Sequence, residues 1–266
     1  MFPIKDNIPT SRFPFVTATL ILINVVAYLL AIRHGGSLIG GPDDQEVFKY
    51  GAIPYAITHH AAHCNIVQVT PPLGVPTVKT ICDSRLLAAH GIPTANPLPP
   101  WETVFTAMFM HASILHIGGN MLFLWIFGNN VEEAMGRVKY VLFYLAAGVA
   151  ALALQVAVDP SSTAPTLGAS GAIAGVLGGY IVLFPRARVL TVVFIILFFT
   201  VLELPALVLL GVWFAEQAVF AATGLTTPAG GGGGVAYFAH VGGFIFGLVT
   251  VKLLASPTRL RLPVAI

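Results

Sequence analysis

Apolar residues in this chain fall in long blocks, with no regular alternation of apolar and polar positions. Five blocks, at 15–32, 104–127, 138–158, 167–184 and 237–254, approach or reach the length of a bilayer-crossing helix, which needs about 20 mostly apolar residues. A sixth apolar region covers 189–222 and is interrupted by Glu203, Pro205, Glu216 and Gln217. It is too long for one straight span and too short for two with a turn. Pro205 suits a helix start, where its missing N–H would be unpaired in any case. The pattern therefore predicts a span at 204–222. It leaves 189–200 as an apolar segment lying in the interface or packed on the bundle. The first block follows only 14 residues and no small-residue cleavage site, so it reads as a retained helix and not as a signal peptide. The expected fold class is all-α: a polytopic bundle of six membrane helices. It forms a single membrane domain over 1–266, within which 33–102 is a long first loop rich in Pro and Gly.

Composition narrows the class. Charged residues make up 9% of the chain and apolar residues 56%, with a mean hydropathy of +0.86. A soluble domain carries about 25% charge, so a soluble enzyme and a disordered tail are both excluded. A net charge of +2 lacks the basic surplus of a nucleic-acid binder. The distribution of Lys and Arg then sets the orientation. With six spans and the N-terminus cytoplasmic, Lys5, Arg12, Arg137, Lys139, Arg186, Arg188, Lys252, Arg259 and Arg261 all lie inside, nine of the thirteen basic residues. The other four (Arg33, Lys49, Lys79 and Arg85) lie in the long first loop, and long loops cross largely regardless of charge. The short outer loops near 159–166 and 224–236 contain neither Lys nor Arg, and the second includes the flexible glycine run 230–234. Two spans within 189–222 would put Lys252, Arg259 and Arg261 outside.

Against this background the polar residues inside the spans are costly, and each is a candidate for function. His111, His116 and Asn120 lie in the second span, Ser170 in the fourth and His240 in the sixth. Spans two, four and six all run from outside to inside. Ser170 and His240 each lie about three residues into their helices, roughly 5 Å deep. His116 and Asn120 are one turn apart on one face, somewhat further along. Four polar groups from three helices thus meet at one level in the outer half of the bilayer. A serine hydroxyl needs a base within hydrogen-bond reach to attack, and His240 can take and return its proton. No carboxylate lies at that level, which predicts a dyad without an orienting Asp or Glu. Asn120, His116 and the backbone N–H of Ser170 can serve as oxyanion donors. Gly171, Gly175 and Gly179 recur every four residues, as do Gly243 and Gly247. Such stripes let helix backbones approach closely and would bring Ser170 beside His240.

These residues resemble the rhomboid family of intramembrane serine proteases. The matching motifs are His116-x-x-x-Asn120, Gly168-x-Ser170-Gly171 and Ala239-His240-x-x-Gly243-x-x-x-Gly247, with further likeness over 105–136. The resemblance implies a six-helix core with a water-filled cavity open to the outer side. It implies a Ser170–His240 catalytic dyad, an oxyanion site of Asn120, His116 and the Ser170 amide, and Gly168, Gly171, Gly243 and Gly247 as its structural support. It implies no cofactor and no metal. The substrates would be transmembrane proteins, cut near the outer face after entering past the fifth helix, here including Trp213 and Phe214, under the last outer loop. Many members carry Trp-Arg before the second helix. This chain has Glu102-Thr103 there with Trp101 one place earlier, which bears on how the first loop is anchored.

Plainer readings stand beside these. A lone Ser in a membrane helix usually bonds its own i−4 carbonyl. His111 reads more naturally as a structural hydrogen-bonding residue, and Glu132 and Glu133 as structural at the inner end of span two. Glu203 and Glu216 read as capping or hydrogen-bonding groups of the fifth helix. A non-proteolytic rhomboid-like binder of transmembrane clients would lack the Ser or the His. A small transporter would distribute polar groups through the whole membrane depth. In the first loop His59, His60, His63, Cys64, Cys82 and His90 leave three possibilities open: a Cys64–Cys82 disulfide, a metal site, or neither.

Overall fold

The structure is a computed structural model that describes residues 1–59, 64–69, 77–89, 91–92, 98–195, 198–224 and 236–256. The His60, His63 and His90 positions, the glycine run 230–234, Arg259 and Arg261 lie outside the described residues. In chain order the elements are β1 (Phe2–Asp6), α1 (Phe15–Ala31), α2 (Asp44–Tyr50), α3 (Pro54–Thr58), β2 (Asn65–Val69), β3 (Thr77–Ile81), α4 (Ser84–Ala89), α5 (Pro100–Thr106), α6 (Ile114–Met135), α7 (Arg137–Val158), α8 (Ser170–Leu183), β4 (Arg188–Ile195), β5 (Phe198–Pro205), α9 (Ala206–Gly224) and α10 (Tyr237–Leu254). Helices dominate, as expected for a membrane bundle. Among the described residues four are long and apolar enough to cross a bilayer, Phe15–His34 with its terminal 3-10 turn, Arg137–Val158, Ala206–Thr223 and Tyr237–Leu254, and the bent pair Pro100–Phe109 and Ile114–Met135 makes a fifth when taken as one span.

The second predicted span is not one helix. It breaks at 110–113, where Met110 is extended (φ −88°, ψ 141°), and α6 restarts with its own cap. Ser113 Oγ accepts the His116 N–H at 3.2 Å, and His116 Nδ1 accepts the Ala112 N–H at 3.3 Å. This reciprocal pairing resembles a capping box. The fourth span is also shorter than expected, because α8 has only 14 residues. Its side chains from Gly171 to Ile181 are all buried, so protein and not lipid surrounds it, and its length need not match the bilayer.

Chain contacts define two compact units. The first comprises Met1–Ile23, Gly118–Leu154 and Ser170–Ile266; the second comprises Asn24–Ile117 and Gln155–Ala169. In the first unit α8 and α10 pack almost backbone to backbone. A Cβ added at Gly243 would lie 2.0 Å from the Gly171 carbonyl oxygen, and one at Gly247 would lie 2.0 Å from that of Gly175. Gly178, and not Gly179, makes the matching approach in the other direction, 2.1 Å from the Phe244 oxygen. Glu132 at the end of α6 accepts the N–H groups of Val16 and Thr17 and the Thr17 hydroxyl at 2.8–3.0 Å. It thereby satisfies free donors at the start of α1. Glu133 accepts the Ser11 N–H and hydroxyl. Both acidic residues are structural, as expected.

Within the segment 189–200, residues 189–195 and 198–200 belong to strands. β4 pairs antiparallel with β5 and with β1, in the order β1-β4-β5. Ala187, Val189 and Thr191 are buried at every second position, and the Val, Thr, Ile and Phe content favours a pleated surface. Glu203 therefore sits on β5, opposite Leu190, and not in the fifth helix.

In the second unit the first loop folds onto 159–168. Ala52 and Thr166 exchange backbone hydrogen bonds at 2.9 and 2.8 Å, the Tyr55 N–H donates to Ser162 O, and the Thr58 hydroxyl donates to Pro160 O. Cys64 and Cys82 form a disulfide beside the antiparallel pair β2 and β3, the first of the three possibilities left by the sequence. Cys64 packs with Phe48, Ile53 and Ala56.

Candidate active site

α8 begins at Ser170, one residue after a loop held in an unusual conformation. Gly168 has φ +117°, which side chains other than glycine's rarely permit, and its N–H donates to Ala107 O at 2.9 Å. The next N–H, of Ala169, donates to His111 Nε2 at 3.4 Å. His111 is thus a buried structural residue that holds the chain leading into Ser170, in line with its plainer reading. Its ring lies edge-on to His116, with centroids 5.1 Å apart.

In the first unit the close approach of α8 and α10 brings Ser170 and His240 together. Ser170 Oγ lies 2.8 Å from His240 Nε2. Both residues are only partly buried. On its other side His240 Nδ1 lies 2.7 Å from Gln217 Oε1 on α9. Trp213, one turn earlier on α9, lies 5.9 Å from the His240 ring, and Tyr237 meets that ring edge-on at 6.4 Å. Phe214 stacks on Phe244 of α10 at 4.4 Å.

The expected oxyanion donors divide between the units. Asn120 is a buried residue of the first unit, on α6, and the Ser170 amide is the first of α8. Helix N-termini carry unpaired N–H groups and partial positive charge. His116 belongs to the second unit. Because its Nδ1 accepts from Ala112, the neutral ring carries its proton on Nε2, which leaves an N–H donor. The supporting glycines Gly171, Gly243 and Gly247 are the points of closest helix contact.

Gln217 is the site residue that the sequence pattern did not assign. Its signal was a polar side chain inside an otherwise apolar block, but nothing in the sequence named its partner. Among the described residues no group of three or more His, Cys, Asp or Glu is placed to hold a metal ion.

Comparison with known proteins shows the family of the chain. A sequence model of the Rhomboid domain matches residues 99–257. The chain is 31% identical over 153 residues to Rhomboid protein 1, mitochondrial, of Saccharomyces cerevisiae, covering 55% of this chain and 40% of that protein. It is 32% identical over 167 residues to Rhomboid-like protein 11, chloroplastic, of Arabidopsis thaliana, covering 59% and 54%. It is 38% identical over 78 residues to the Rhomboid protease GluP of Bacillus subtilis, covering 29% and 15%. The chain spans about half or less of the length of these relatives. The domain match covers more than half of the chain and contains Ser170, His240, Asn120 and the paired glycine stripes, and the chain belongs to the rhomboid family.

Proposed function

We propose that this chain is an intramembrane serine endopeptidase that hydrolyses peptide bonds in or near the transmembrane helices of other membrane proteins. The observation that carries this reading is the 2.8 Å approach of Ser170 Oγ to His240 Nε2 inside an apolar bundle. In the reaction the Ser170 oxygen attacks the scissile carbonyl carbon while its proton passes to His240 Nε2. The carbonyl oxygen becomes an oxyanion, held by Asn120 Nδ2 and the Ser170 amide. The C–N bond then breaks, and His240 returns the proton to the leaving amine. Water attacks the acyl–Ser170 ester, His240 takes the water proton and gives it to Ser170 Oγ, and the acid product leaves.

The chain is a single membrane domain with both termini cytoplasmic and the site towards the extracytoplasmic side. The disulfide in the first loop supports this, because disulfides persist in oxidising compartments. Substrate enters beside α9, past Trp213 and Phe214. A non-proteolytic client binder is the rival reading, and the presence and pairing of both Ser170 and His240 argue against it. A transporter is disfavoured by the clustering of polar groups at one level.

The test is cleavage of a single-span transmembrane substrate by the purified protein in proteoliposomes. Ser170→Ala and His240→Ala are each expected to reduce the rate at least about a thousandfold. Cleavage at the normal rate by either variant would overturn the reading.

A further inference from the structure

The imidazole of His240 is held from both sides, and the second partner lies outside the expected dyad. Gln217 Oε1, a carbonyl oxygen, can only accept a hydrogen bond. At 2.7 Å from Nδ1, it requires the proton of the neutral ring to sit on Nδ1. Nε2 then carries the lone pair and faces the Ser170 hydroxyl at 2.8 Å. This is the one tautomer in which His240 can accept the serine proton. Gln217 is 8% exposed on α9, whose other residues near it are apolar apart from the exposed Glu216. A polar side chain buried there is costly without a partner, and His240 is its partner.

We propose that Gln217 is a positioning residue that acts through His240, fixing its tautomer and ring orientation in place of the absent carboxylate. The inference rests on the hydrolytic reading of Ser170 and His240. A neutral amide fits a lipid-embedded site, because it orients the imidazole without burying a second charge. It also links the base to α9. The helix that presents Trp213 to the His240 ring and stacks Phe214 on Phe244 also carries the oxygen that sets the ring. His240 is therefore in its competent tautomer while α9 is packed on α10 and loses its anchor when α9 moves away.

The experiment compares Gln217→Met and Gln217→Glu with the unmodified protein in proteoliposomes, using a single-span transmembrane substrate from about pH 5 to pH 9. Gln217→Met keeps the side-chain length but removes the acceptor. It is expected to lower kcat tenfold or more, to order of magnitude, with KM within about twofold. Gln217→Glu restores an acceptor and is expected to recover most of kcat. It also moves the acid limb of kcat/KM upward by at least about half a pH unit, because a carboxylate stabilises the imidazolium. Normal kcat and pH profile in Gln217→Met overturn the proposal. So does a Gln217→Glu protein with unrecovered kcat and an unmoved acid limb, which marks a purely structural role, and this arm decides the matter even where Gln217→Met fails to fold. Ser170→Ala run in parallel separates the two readings. If it cleaves normally, the hydrolytic reading fails. If it is inactive while Gln217→Met is normal, only the role of Gln217 fails.

Discussion

Asp6 is a buried carboxylate at the end of β1 whose oxygen accepts hydrogen bonds from the Tyr180 hydroxyl at 2.5 Å and from Asn130 Nδ2 at 2.6 Å. Burial pushes its carboxyl up to about 6, against the opposing pull of the Tyr180 bond, backbone N–H groups and nearby Lys5. The folded value lies above the unfolded one, near 3.9. The native state therefore binds this proton more readily than the unfolded chain, and the group's contribution to stability improves as pH falls from about 6 to about 4. Above that window the ionised group costs up to about 3 kcal/mol. Asp6→Asn removes the charge. It is expected to be more stable than the unmodified protein at pH 8, with the difference shrinking towards pH 4. Thermal unfolding in detergent across that range checks it, and an advantage that grows as pH falls would refute the argument. The same scale shows what was legible from sequence. Ser170, His240, Asn120 and His116 stood out because each is polar where lipid or core should surround it. Gln217 stood out equally but was read as an interruption, because only tertiary packing shows which ring it meets.

At the scale of elements the glycines divide sharply by what surrounds them. A Cβ at Gly247 would lie 2.0 Å from Gly175 O and 2.8 Å from Gly179 N, both backbone atoms that cannot swing aside. Gly247→Ala must push α10 away from α8, and with it His240 away from Ser170. A displacement of that kind is expected to reduce cleavage on the order of a hundredfold and to cost about 1–3 kcal/mol of stability. Gly211 on α9 has nothing within 4 Å of an added Cβ. Gly211→Ala should fold and cleave normally and gain up to about 1 kcal/mol from helix propensity. Equal behaviour of the two variants in thermal unfolding and cleavage would refute the close-packing account. Helix positions were legible because hydropathy blocks set them: α1, α7, α9 and α10 begin and end within a few residues of expectation. The pairing of β4 and β5 was not, because hydropathy records how apolar a segment is and not whether it pairs. Its Val, Thr and Phe content carried the β signal, and β1, its partner in the sheet, lies more than 180 residues earlier. The break in the second span was hidden for a related reason. Ser113 and His116 cap a helix start in the middle of a single hydropathy block.

At the scale of the whole molecule each unit gathers loops that the six-span topology expected from the sequence would put on one side. The second unit joins the first loop to 159–168 through paired backbone bonds. In the first unit β1 pairs with β4, and the Ser256 N–H donates to Ala134 O, so the N-terminal strand meets the fourth loop and the end of α10 meets the end of α6. The side of the membrane is a separate question, and the disulfide offers a clean way to ask it, because Cys64 and Cys82 are the chain's two cysteines. If the first loop is extracytoplasmic, an impermeant reductant added to intact, right-side-out vesicles should open the disulfide. An impermeant maleimide should then label both thiols without lysis. Labelling before reduction would mean that the cysteines are not paired in the membrane, and labelling only after lysis would invert the orientation. The opened loop should also become protease-sensitive, because the bridge closes 18 residues of separation and is worth about 3 kcal/mol against the unfolded loop. Cleavage of substrate is expected to persist, since neither Cys64 nor Cys82 takes part in the proposed reaction. Abolished cleavage on reduction would mean that the first loop is required for catalysis as well as for its own fold.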